Sequence, residues 1–170
     1  MEFRGSVPHD PGQPTATPVT DGPPSRPPYE GIWRFTVPAL DSSVPQARHA
    51  VRDLLQDQRV PALDDIVEGL LLIVSELVTN SVRHAALLSP EVGVEVAVGA
   101  GWVRVAVEDD HPYRPKALHA DQGGTGGRGL LLVQVITAEA GGVCDAERTA
   151  GGGKVVWAAL PLAGPGPALS

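Results

Sequence analysis

Several things are scarce in this sequence, and each scarcity excludes something. A single cysteine, Cys144, stands among 170 residues, so no internal disulfide can form. No thiolate zinc cluster can be built around one thiol either, with His9, His49, His84, His111 and His119 dispersed along the chain. A cytoplasmic, reducing setting is the expectation. Basic side chains are outnumbered, 13 Lys and Arg against 20 Asp and Glu, for a formal net charge of −7. That balance argues against a phosphate-backbone binder, so no direct nucleic-acid contact is expected. Apolar runs are short: Leu70 to Val74 stops at Ser75-Glu76, and Glu2 and Arg4 are followed by no apolar segment. Neither a membrane span nor a secretory leader is expected. Aromatics make up only 4% of the chain, and Trp33, Trp102 and Trp157 fall in strand-like stretches where packing is their simplest role.

Glycine and proline are plentiful, and their placement divides the chain. Residues 1–28 carry eight prolines and hardly an aliphatic side chain, too little apolar surface to offset the entropy of ordering. The expectation is a disordered Pro-rich tail over 1–29, one folded domain over 30–162 and a flexible C-terminal tail over 163–170. A PxxP-type ligand at Pro24 to Pro28 is the alternative to a plain spacer.

Inside the domain, residues 32–37 alternate as a strand ended by Pro38. Asp41-Ser42-Ser43 can cap a helix through Leu55 that tolerates Pro45 in its first turn. A second helix opens at Leu63 and runs to about Ala86, with Ile66, Val67, Leu70, Leu71, Val74, Leu77, Val78 and Val82 at helical spacing. The valines at 92, 94, 96 and 98 and at 103, 105 and 107 alternate about Gly99-Ala100-Gly101, which reads as a hairpin. A third helix should start near Gly127, and two strands, about Ala138–Cys144 and Lys154–Leu160, close the domain. Without strict βαβ alternation, the expected class is α+β: a two-layer sandwich, its sheet mixed but mostly antiparallel, with helices on one face.

Three segments carry chemistry. On the second helix, Glu76 and Asn80 lie one turn apart, flanked by Arg83 and His84, on a stripe bordering the apolar arc. A carboxylate and an amide so placed are hard-oxygen donors suited to Mg²⁺, or simply an ordinary solvated face. At the end of the hairpin, the phase that turns Val103, Val105 and Val107 inward also turns Asp109 inward. Such a carboxylate needs a donor, either an exocyclic amine such as that of adenine or the turn at His111-Pro112. In Gly123-Gly124-Thr125-Gly126-Gly127-Arg128-Gly129-Leu130, glycines before a helix N-terminus suit backbone amides to an anion, and a linker would use them too. Gly124, Gly126 and Gly129 satisfy G-x-G-x-x-G, yet no strand precedes them, and Leu130 stands where a Walker A loop needs Lys.

In this order, the three segments resemble the Bergerat-fold GHKL superfamily of gyrase, heat-shock chaperone, histidine kinase and mismatch-repair ATPases. Glu76 to Asn80 matches the N box, Asp109 the adenine-recognising G1 position, and Gly127-Arg128-Gly129-Leu130 the G2 box. The stretch from Ser75 to His84, with Gly152-Gly153-Lys154-Val155-Val156-Trp157, is similar to stand-alone proteins related to anti-sigma-factor serine/threonine kinases. The resemblance covers about Ile32 to Leu160. It implies ATP and Mg²⁺ as cofactors: Asn80 on the metal, Asp109 on adenine N6, Gly127, Arg128, Gly129 and Leu130 at the phosphates, and Glu76 as the catalytic base. It implies a serine on an anti-anti-sigma partner as acceptor and leaves a homodimer open; the alternative is a non-catalytic module that binds nucleotide or a sigma factor. The chain also departs from the pattern. His111, Pro112 and Pro115 replace the G1 glycines, and Val155 stands where the family often has Thr, a methyl in place of a hydroxyl that could hold Asp109.

Overall fold

The computed structural model describes residues 29–85, 90–111 and 128–165. Of the tail expected over 1–29, residues 1–28 lie outside them, as do the glycine run up to Gly127 and the last five residues, whereas Tyr29 is described and buried in the core. Five strands and three helices follow one another as β1 (Gly31–Pro38), α1 (Ser43–Asp57), α2 (Asp64–Ala85), β2 (Glu91–Gly99), β3 (Trp102–Asp109), α3 (Arg128–Glu139), β4 (Val143–Arg148) and β5 (Lys154–Pro161). The strands form one sheet in the order β1-β2-β3-β5-β4, and every neighbouring pair is antiparallel. Helix α2 packs between α1 and α3, and the three helices lie on one face of the sheet. The expected α+β two-layer sandwich is the observed one, with an antiparallel sheet throughout.

Residues at alternate positions of each strand make the inner face: Phe35 and Val37; Val92, Val94 and Val96; Val103, Val105 and Val107; Val156, Ala158 and Leu160, all buried in the main core. The other face carries Arg34, Glu95, Arg104, Ala106 and Trp157. The hairpin between β2 and β3 closes on two residues, Ala100 and Gly101, at φ of 54° and 81°. Two consecutive positive φ values give the turn whose twist matches that of paired strands, and this fixes the register that aims Asp109 inward.

Helix α2 lies between α1 and α3 and over the sheet, so its buried arc is wide: Ile66, Leu70, Leu71, Ile73, Val74, Leu77, Val78 and Val82 are all buried. Asp64 and Asp65 in its first turn complement the positive end of its dipole. Leu70 is fully buried, whereas Leu72, two residues on, is 43% exposed. Chemical denaturation of Leu70→Ala should therefore show a loss of about 2–5 kcal/mol, with Leu72→Ala changing stability by about 0.5 kcal/mol or less.

Two expectations about local structure fail. Ser42 occupies the N-cap of α1 yet its side chain makes no capping hydrogen bond. The strand expected over Ala138–Cys144 begins later, because α3 continues to Glu139 and ends on Gly141 at φ 76°. The Gly142 N–H then donates to the Thr137 carbonyl at 2.8 Å, a helix stop that needs a left-handed residue at 141 and delays β4 to Val143.

Candidate functional site

Asp109 ends β3 on the inner face, in phase with Val103, Val105 and Val107. Its side chain is fully buried. The two carboxylate oxygens are used differently. The backbone N–H of His111 donates to Oδ1 at 2.8 Å, the turn-capping role open to an Asp at a strand end. Oδ2 is buried and has no hydrogen-bond partner among the described residues. Leaving such an oxygen unmade costs about 1–3 kcal/mol, more for a charged group, and a ligand amine is the kind of donor that recovers it. Oδ1 thus fills the turn-capping role, and Oδ2 is the atom that the ligand reading would use.

Among the described residues the cation that pairs with Oδ2 is Lys154, whose Nζ stands 3.9 Å away, too far for a hydrogen bond. The two residues are register partners across β3 and β5. Gly153, just before Lys154, is where the backbones come closest: a Cβ there would lie 2.3 Å from the Asp109 carbonyl oxygen and 3.0 Å from the Cα of Asp110. Only glycine lets β5 lie against the end of β3 in this way. Val155 does not neighbour Asp109. It pairs with Glu108 and packs with Ala106 and Trp157 on the outer face, so the missing hydroxyl inferred there from the family pattern has no bearing on Asp109. Lys154 holds that place, and its role was not read from the sequence.

Glu76 and Asn80 occupy the same side of α2, one turn apart. Glu76 is half-buried, Asn80 is 7% exposed and Arg83 is exposed, which puts this stripe at the rim of the core. Helix α2 packs against β3, β5 and α3, the elements that carry Asp109, Lys154 and Leu130. Arg128 and Gly129 are the first residues of α3, and half-buried Leu130 packs on the main core. Gly127 lies outside the described residues, as does the side chain of His84. Among the described residues no three His, Cys, Asp or Glu side chains gather as a metal site, so a divalent cation held by Asn80 would need oxygens from its ligand as well.

A cleft of about 750 Å³ among the described residues is elsewhere. It lies over the outer face of the sheet, lined by Arg34, Glu95, Arg104, Glu108, Glu147 and neighbouring residues, and none of the site residues read from sequence borders it. Arg34 and Arg104 both pair with Glu95 there, and the Arg104 guanidinium sits 5.0 Å from the centre of the Trp157 ring. Its charges are thus largely spent on one another and on an aromatic face. On β4, burial pushes the Cys144 thiol above its ordinary range, with a hydrogen bond from Thr137 acting the other way. Cys144 therefore stays a thiol and packs, as the sequence suggests. No helix among the described residues is long and apolar enough to cross a membrane.

Residues 37–160 match the family model of the histidine kinase-like ATPase domain. No curated protein matches the sequence. Among solved structures, the chain is similar to the nucleotide-free catalytic domain of histidine kinase ThkA, with a TM-score of 0.52 at 15% identity over 77% of this chain and 98% of that one. It is also similar to the Erythrobacter litoralis EL346 blue-light activated histidine kinase, with a TM-score of 0.49 at 27% identity over 59% of this chain. The match spans 32% of that kinase, about a third of its length.

Proposed function

Since the chain belongs to the histidine kinase-like ATPase family of the GHKL superfamily, we propose that it is an ATP-binding regulatory protein of the anti-sigma-factor serine/threonine kinase type, acting on an anti-anti-sigma partner. The observation that carries this reading is Asp109 Oδ2: a buried carboxylate oxygen without a hydrogen bond, on a side chain whose other oxygen is already held by His111. That oxygen fits an exocyclic amine, and adenine offers one at N6.

In this reading the chain divides the work by element. Strand β3 supplies the base-recognising acceptor, Asp109. Helix α2 supplies Asn80, whose amide oxygen would ligate Mg²⁺, and Glu76, whose carboxylate takes the proton of an acceptor serine hydroxyl. The family resemblance assigns the phosphates to Gly127, Arg128 and Gly129, and the N-terminus of α3, which opens at Arg128, carries the positive end of a helix dipole that would favour them. Leu130 packs on the core and fixes that helix end against the body of the domain. When bound, Mg²⁺ supplies charge neutralisation between phosphate oxygens. The rest of phosphoryl transfer is positioning, which suits a site with one base and few other titratable groups.

Calorimetric titration with ATP tests the proposal directly. Saturable binding is expected with Mg²⁺ present, and clearly weaker binding with the metal chelated. A flat trace under both conditions would reject a nucleotide site. Binding without phosphate transfer to any serine of an anti-anti-sigma protein would leave the non-catalytic module as the reading.

A further inference from the structure

Lys154 is a buried cation that the reading so far does not use. It is 8% exposed, faces the inner side of the sheet beside Asp109, and belongs to the strand that Gly153 holds against the Asp109 backbone. Burying an ammonium is costly, and a hydrophobic side chain would pack as well at the edge of this core. A countercharge for Asp109 explains part of the choice. It leaves unexplained why the two groups stop at 3.9 Å, with no hydrogen bond between them and with Oδ2 unsatisfied.

A donor and an acceptor fixed side by side but not bonded to each other match a ligand edge that presents the complementary pair. Adenine has such an edge: the N6 amine donates, and ring nitrogen N1, attached to the same carbon, accepts. Building on the nucleotide reading above, we propose that Lys154 is a specificity-determining residue of this site, donating from Nζ to adenine N1 while Asp109 Oδ2 accepts from N6. The pair then reads two adjacent atoms of the base, and each ion gains the hydrogen bond it lacks in their mutual contact. Gly153 contributes indirectly, because the close approach it permits sets the position of the Lys154 backbone relative to the Asp109 carboxylate.

The test uses the full-length protein and two nucleotides, ATP and 1-deaza-ATP, in which a C–H replaces N1. Wild type should bind 1-deaza-ATP about tenfold or more weakly than ATP, the loss expected when a charge-assisted hydrogen bond is left unmade. In Lys154→Met the two affinities should become equal, and Lys154→Arg, which keeps charge and donors, should restore part of the difference. If Lys154 were only a countercharge, wild type would bind both nucleotides equally, and Lys154→Met would weaken both alike; either result overturns the proposal. The wild-type comparison alone decides the matter should Lys154→Met fail to fold. Equal binding of both nucleotides removes the role of Lys154 and leaves the nucleotide site standing, whereas binding of neither removes the site itself.

Discussion

An Asp109→Asn variant should bind ATP about a hundredfold more weakly than wild type while melting as a folded protein. The size of the effect follows from the two oxygens having separate duties. The His111 N–H donates to Oδ1, and Oδ2 has no hydrogen-bond partner of its own. An asparagine can keep only one of the two acceptors. If its oxygen faces His111, its NH₂ group points at the place where the base amine must donate, and at Lys154. If it flips, the NH₂ group meets the His111 N–H instead. Each orientation sets donor against donor in a buried place, which costs more than the loss of one hydrogen bond. Glu108→Gln is the natural control, because Glu108 is the adjacent carboxylate but is exposed on the outer side of the same strand. It should leave the titration unchanged. Equal ATP affinity for wild type and Asp109→Asn would refute the placement of the base at Asp109.

Where the sequence was legible, the information was local. The alternation in β2 and β3 and the two-residue turn between them sufficed to orient Asp109, because strand phase propagates without reference to any other element. The wide apolar arc of α2 was equally plain, and it put Glu76 and Asn80 at the rim where the structure has them. The failures were of two kinds. Strand β4 was started too early because Ala138 and Glu139 have no strong preference. What ends α3 is the left-handed Gly141, whose role depends on the backbone around it and not on its neighbours' types. The second failure lies in pairing: Lys154 and Asp109 are 45 positions apart and meet only through the register of β3 and β5. A shift of one residue exchanges the faces, so a family pattern that sets Val155 beside Asp109 misses Lys154, the residue the register pairs with it. The outer-face cluster of Arg34, Glu95, Arg104 and Trp157 is invisible for the same reason, since its members come from four strands.

Glu76→Gln should separate binding from chemistry. The substitution preserves the size of the side chain on α2, one turn before Asn80, and removes its negative charge and with it the capacity to take up a proton. ATP affinity measured by calorimetry should stay within about twofold of wild type, because the contacts assigned to the base and the phosphates come from β3, Lys154, Asn80 and the start of α3. Transfer of the labelled γ-phosphate to a serine of the anti-anti-sigma partner should fall by about 10² to 10⁴, the usual contribution of a positioned general base. That split, with ground-state binding intact and turnover nearly lost, is the signature of a group whose interaction strengthens only as the serine hydroxyl gives up its proton. A structural role for Glu76 predicts a different pattern, in which affinity, thermal stability and transfer decline together, since the half-buried side chain would then be holding α2 in place. Undiminished transfer by Glu76→Gln would assign the proton to another acceptor. Asp109 could not be that acceptor if it is held to His111 and committed to the base, so the search would turn to the acceptor protein itself.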